Sequence, residues 1–278
     1  MQKTLTIIGC GKVGKTLGRL WRANETFVIQ DVLNRSLASS EGAVSFIGAG
    51  RALRDYTELR PADIYLVASG DDQVAQCCEV LARTGRIAAG AIVFHCSGAL
   101  ASTALQPAAQ HGASIASVHP IRSFASPEQV AENFAGTYCG MEGDPRALEV
   151  LSGAFSAIGA RMVSIDAEFK TIYHSAAVFA CNYLVTLLDI AQQAYAKSGI
   201  PPEVSLKLME PLVRETVDNV FRLGPADALT GPIARGDVAT AVKQYRAVSA
   251  WNKPHGRLYR QLGKLTGALA ARRRKSRD

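Results

Sequence analysis

The sequence predicts an α/β chain, a parallel sheet with helices on both faces, followed by an all-helical domain. Three observations predict it. Short β-rich runs alternate with helical stretches as far as about residue 165. A glycine-rich turn directly follows the first of those runs. Beyond that half the apolar spacing is helical only. The expected domains are 1–165 and 166–278.

The elements follow in order. "TLTIIG" is the first strand, and "KTLGRLWRA" after its glycine turn has helical spacing. "FVIQDVLN", "AVSFIG", "DIYLVAS" and "AIVFHCSG" read as the next four strands. "ALASTALQPAAQHG" is helical, "SIASVHP" is a strand, and the strands "TYCGME" and "RMVSID" flank a helix at "PRALEVLSGAFSAIG". Asp166 is a good N-cap for a long helix that "GIPP" stops after Ser198. Thirty-two residues of helix would be roughly 48 Å long, suited to a spine between domains or subunits. A second helix, from about Glu203 to Leu223, should kink at Pro211. The Gly/Pro-rich "GPADALTGPIARGD" and two further helices complete the chain.

Composition narrows the classes. Of the +7 net charge, "ARRRKSRD" carries five basic residues against one acid, or +4, and reads as a solvated end. The remaining +3 is no footprint for nucleic acid. Six cysteines without a CxxC pair predict a reducing compartment, no disulfide framework and no metal site. No secretory signal is expected, and the apolar stretch around 176–188 is short for a bilayer, so the expectation is a cytoplasmic protein without a membrane partner.

The turn "IIGCGKVGKTLG" satisfies two phosphate-binding rules at once. Gly9, Gly11 and Gly14 make GxGxxG, with Lys12 and Val13 between them, while Gly9, Gly14, Lys15 and Thr16 make GxxxxGK[ST]. The second rule also needs an acid closing an apolar strand to hold magnesium, yet those strands close in Ser69, His95 and His119. The first rule needs a ribose-reading residue about 20 residues past the glycines. There the chain has Asn34, Arg35 and Ser36, whose guanidinium and hydroxyl suit a 2′-phosphate and therefore NADP. A strand that ended earlier would instead offer Asp31 to the 2′-hydroxyl of NAD.

"FHCSGAL", "SVHPIRSF", "KTIYHSAAVFACNYL" and "ALTGPIARGD" resemble a branch of Rossmann-like NADP oxidoreductases whose C-terminal half is a domain of unknown function. The wider resemblance is to the superfamily of pyrroline-5-carboxylate reductase, ketopantoate reductase and 6-phosphogluconate dehydrogenase. It implies an NADP-dependent hydride transfer and a lysine near the start of the long helix facing nicotinamide and substrate, a position held here by Lys170. The superfamily's asparagine four residues on is replaced by His174, and Asn182 comes later. A loop shared across a homodimer is a further implication for "LTGPIARGD".

Lys170 and His174 lie one helical turn apart and share a face, so either is a candidate proton donor, with Asn182 about 80° further round. His95 and His119 close strands, where open α/β sheets bind ligands, and Ser97 turns the chain just beyond. His119, Ser97, Thr230 and Arg235 are the candidate substrate contacts, Ser69 a further cofactor contact. Arg235 either binds a substrate carboxylate or pairs with Asp237, which is also placed to cap a helix. The reading is an NADP-dependent oxidoreductase acting on a small carbonyl, hydroxy-acid or imine compound. A non-catalytic NADP sensor is the alternative, and a nucleotidase the third choice.

Overall fold

The computed structural model describes residues 2–275, so 276–278 of the basic end lie outside the described residues. The chain divides into two compact units, Met1–Ala180 and Cys181–Asp278.

The first unit is built on eight strands: β1 (Lys3–Ile8), β2 (Phe27–Leu33), β3 (Arg51–Leu53), β4 (Ile64–Val67), β5 (Ile92–His95), β6 (Ser114–Pro120), β7 (Tyr138–Gly143) and β8 (Arg161–Ser164). They form one sheet in the order β3-β2-β1-β4-β5-β6-β7-β8. The first six run parallel, while β7 pairs antiparallel to β6 and parallel to β8. The order reverses between β1 and β4, which opens a crevice beyond their carboxyl ends.

Around the sheet lie α1 (Lys12–Ala23), α2 (Leu37–Ile47), α3 (Val74–Arg83), α4 (Gln106–Ala109), α5 (Pro127–Glu132), α6 (Pro145–Ala157) and α7 (Lys170–Ala177). Side chains alternate along the strands, so each face has its own core. Ile64, Leu66 and Phe94 face a cluster with Trp21, Phe27 and Phe155. Tyr65, Val67 and Val93 face one with Val74, Cys78 and Leu81. Trp21 packs edge-on against Phe155 (5.1 Å) and Phe27 (5.3 Å), and its indole N–H is donated to the Ala154 carbonyl at 3.0 Å. A buried indole so placed anchors α1 to α6 across the core.

"AVSFIG" is not a strand. Its first five residues form the C-terminal part of α2, which Ser36 caps by accepting from the Ser39 N–H and Gly48 closes at φ 78°. Val, Phe and Ile favour strands locally, but these caps and a buried stripe of Ser40, Ala43 and Ile47 at helical spacing override them. The third strand is instead β3, Arg51–Leu53. Asp166 does not start the long helix either: its carboxylate accepts from the Glu168 N–H in a turn, and α7 begins at Lys170.

The helical run Lys170–Lys197 contains a π-helical turn, Val178–Asn182, and continues as α8 (Tyr183–Lys197). Its 28 residues contain an 18-residue window of mean hydropathy 1.3, so by length and composition the run could cross a membrane, where the apolar centre alone is short. The second unit continues with α9 (Pro202–Leu223, containing Pro211), α10 (Pro225–Ala228), α11 (Pro232–Arg235), α12 (Val238–Trp251) and α13 (Lys253–Lys275). Within it α12 lies along α13, and α9 packs against α8 and α10. The basic end is thus helical as far as Lys275.

Candidate functional site

The crevice at the β1/β4 reversal is a cavity of ≈ 1120 Å³. Gly9, Gly11, Lys12, Asn34, Arg35 and Ser69 all line it. Gly9 has φ 71°, and a Cβ there would meet the Ser69 backbone at 2.7 Å. Only glycine brings β1 this close to the end of β4. Gly11 is the N-cap of α1 and offers no side chain, so the first N–H groups of that helix face the crevice uncapped. The Ser69 hydroxyl is buried and has no hydrogen-bond partner among the described residues. An uncapped helix start, an open hydroxyl and a glycine turn together suit the phosphates of a dinucleotide.

The nucleotidase expectation is overturned by the same turn. The helix begins at Lys12, not at Gly14, and the Thr16 hydroxyl is buried and donates to the Lys12 carbonyl at 2.8 Å. It is turned away from any magnesium a P-loop would place there. Gly14 instead packs closely against Ala68 and Ile7. Val13 packs against the core and does not line the crevice. Ser36 does not line it either, because its hydroxyl is used to cap α2. Lys12 lines the crevice but donates its ammonium to the Ala125 carbonyl at 2.8 Å.

β2 runs on to Leu33, so Asp31 lies inside the strand rather than at its end. Asp31 is wholly buried and pairs with Arg60 (2.7 Å) and Arg51 (3.2 Å). Burial alone would raise its pKa, but the hydrogen bonds and charge of Arg60, helped by Arg51, hold it below the usual carboxylate value. Both its oxygens are taken, and Arg35 is the residue on the crevice wall.

A second cluster forms where β5 and β6 end. His119, next to last in β6, hydrogen-bonds through Nδ1 with the Tyr173 hydroxyl (3.0 Å), and that hydroxyl lies against Gly140. Burial, with His174 and Lys170 nearby, pushes His119 down to about 4, and burial pushes the Tyr173 phenol up to about 12. The His174 ring sits 5.6 Å from that of His119, and its Nδ1 is buried without a partner among the described residues. Both rings close over Gly98, where a Cβ would meet His119 Nε2 at 2.9 Å and His174 Nδ1 closer still. Ser97 holds the same turn, its hydroxyl accepting from the Ala99 and Leu100 N–H groups. Ser97, His119 and His174 are therefore brought together, with Tyr173.

Lys170 is placed differently. Its side chain is 1% exposed, and its ammonium donates to Glu142 Oε1 (3.1 Å) and to the Ser117 hydroxyl. Burial pushes its pKa below the ordinary lysine value, while Glu142 pulls it up. This corrects the expectation that Lys170 faces a substrate. His95 belongs to the same interior network: Nδ1 accepts from the Ser97 N–H (3.1 Å), Nε2–H is donated to the Ala101 carbonyl (3.1 Å), and burial pushes the ring down to about 4.

In the second unit, Asn182 is exposed at the end of the π-helical turn. Thr230 and Arg235 are exposed around α11, and Asp237 caps α12 by accepting from the Thr240 N–H. Among the described residues Arg235 forms no ion pair with Asp237. His111 is exposed, and the His255 ring packs on Trp251 at 5.1 Å. Sequence reasoning missed Tyr173 and Glu142. The one signal for Glu142 was a lone acid in an apolar strand, and for Tyr173 its place beside His174 within the same helical turn.

Residues 2–120 match the Rossmann-like domain, and residues 137–266 match the domain of unknown function DUF2520. No curated protein matches the chain. A Thermotoga maritima protein of known structure is 26% identical over 97% of this chain and 99% of its own, with TM-score 0.77. An imine reductase from Myxococcus stipitatus in complex with NADP+ is 19% identical over 98% of this chain and 94% of its own, TM-score 0.64. A pyrroline-5-carboxylate reductase from Coxiella burnetii is 16% identical over 99% and 98%, TM-score 0.60. At those last two identities the likeness is one of fold.

Proposed function

The chain couples a Rossmann-like domain to a DUF2520 domain, and on that footing we propose that it is an NADP-dependent oxidoreductase acting on a small carbonyl, hydroxy-acid or imine compound. The observation that carries the reading is the uncapped start of α1 behind Gly9 and Gly11, with Arg35 on the same crevice wall and Asp31 withdrawn into the interior. The imine reductase of the same fold holds NADP+ in its structure, which supports the choice of cofactor class.

The first-turn amides of α1 and the Ser69 hydroxyl would hold the pyrophosphate, and Arg35 the 2′-phosphate. NADP(H) supplies or receives a hydride. The protein's part is to place the substrate and stabilise the charge that develops on it. His119, its ring held at Nδ1 by Tyr173, presents Nε2 to the oxygen or nitrogen that gains charge. The unpartnered Nδ1 of His174 supplies a second polar contact beside Gly98.

Replacing Arg35 by alanine is expected to weaken NADPH binding roughly tenfold to a hundredfold, the worth of a charge-assisted hydrogen bond, while leaving NADH nearly unchanged. Fluorescence titration of both cofactors measures this, and equal losses would remove the 2′-phosphate assignment. Tight NADPH binding by the wild type with no oxidation across a panel of small 2-oxo acids and cyclic imines would make the chain a sensor instead.

The helical unit also supports a homodimer. Val185, Leu206, Leu212 and Phe221 are 55% to 85% exposed there, more apolar surface than a monomer ordinarily leaves in water. Sedimentation velocity should give a species of twice 29.6 kDa. A single species of 29.6 kDa at micromolar concentration would refute it.

A further inference from the structure

The ammonium of Lys170 lies in the interior, and its partners lead back to the turn that carries Gly98. Glu142, its side chain 4% exposed, accepts from the Ser102 N–H (2.8 Å) and the Ser102 hydroxyl (2.7 Å) besides Lys170. Ser117 accepts from Lys170, which leaves its own proton for His95 Nδ1 (3.3 Å) or the Ser97 carbonyl (3.4 Å). His95 binds the Ser97 N–H and the Ala101 carbonyl. Ser97, Ala101 and Ser102 are thus tied from beneath by one connected polar network. Tyr173 and His174, one turn along α7 from Lys170, reach Gly140 and Gly98 respectively. A charge this deeply buried is held only because its partner is present and fully bonded. Moving the ammonium to a substrate would strand the Glu142 carboxylate.

We infer that Lys170 and Glu142 are positioning residues: their buried pair clamps the Ser97–Ser102 turn to the first turn of α7 and so sets where His174 meets Gly98 and His119. The inference rests on the proposed reading for what the site does, but its geometry is independent of it. It also transfers the polar work at the substrate from the lysine to the two histidines and Tyr173.

The test compares Lys170→Met with the double variant Lys170→Met/Glu142→Met, which removes the pair without leaving a lone charge. Amide hydrogen exchange at residues 97–102 and the ¹⁵N-resolved ring signals of His119 and His174 are read in both. Lys170→Met should lower Tm, speed exchange in the turn by roughly tenfold, and move the His174 ring signals. The double variant should recover Tm, because well-packed apolar replacements of buried pairs are often neutral. Its turn should nevertheless still exchange fast, with the His174 signals still displaced. If the turn stays protected and the ring signals stay put in both variants, the pair serves stability alone and the inference falls. Should the double variant fail to fold, the single variant's exchange and ring signals decide in the same way. None of these readouts uses a cofactor. Failure of the wild type to bind NADPH would overturn the proposed function and leave this result legible.

Discussion

Glu142→Gln is expected to lower the unfolding free energy by about 3 kcal/mol, the low end of what removing one partner of a buried ion pair costs. Glutamine keeps the shape. Its carbonyl can still accept from the Ser102 N–H and from Lys170, and its amide can donate to the Ser102 hydroxyl, which only has to turn. What disappears is the negative charge that makes a buried ammonium tolerable. The effect also has a pH signature. Burial holds Lys170 below the ordinary lysine value, so the unfolded chain, titrating near about 10.4, binds this proton more tightly than the folded one. Stability contributed by this group therefore rises with pH between the depressed folded value and about 10.4, and is level above it. Without Glu142 the interval widens, so the variant's stability climbs more steeply on the alkaline side than the wild type's. Urea unfolding from neutral pH to about 10 measures both effects, and a variant equal to the wild type in midpoint and slope would contradict them.

Gly98→Ala is expected to reduce NADPH oxidation roughly a hundredfold, the scale on which a misplacement of about 1 Å acts at a reacting centre. A Cβ at this position would lie 2.8 Å from His119 Cε1 and 2.9 Å from Nε2, and nearer still to His174 Nδ1. Neither ring is the free end of a flexible chain. His119 is held by Tyr173, and the whole of α7 carries His174, so both must be displaced together. NADPH affinity should change less than about twofold, because the Gly9–Gly11 turn shares no partner with Gly98. Steady-state oxidation and equilibrium titration of the same preparation test the split. A parallel loss of affinity would show that the substitution disturbs the crevice itself.

How much could be read beforehand depends on how local each feature is. The glycine turn was legible because a close strand-to-helix connection needs its glycines within a few contiguous residues, whatever lies around them. The candidates His119, His174 and Ser97 were legible because ends of parallel strands and starts of helices converge on one edge of such a sheet. "AVSFIG" misled because strand propensity is weak and Ser36 and Gly48 enclosed it in helical caps. Asp31 stayed ambiguous in the sequence, since its partners Arg51 and Arg60 are 20 and 29 residues away.

By itself, then, the sequence determined the alternation that builds the sheet, the helical second half and the crevice where phosphates would sit. These follow from periodicity and backbone requirements written in short stretches. Only the tertiary structure decided the fate of Lys170. Its spacing with His174 is the same whether it faces a substrate or the interior. The choice was made by Glu142, 28 residues back on a strand that runs against its neighbour β6, and by Ser117, 53 residues back. A buried charge goes where its counter-charge is, and that location exists only once the chain has folded.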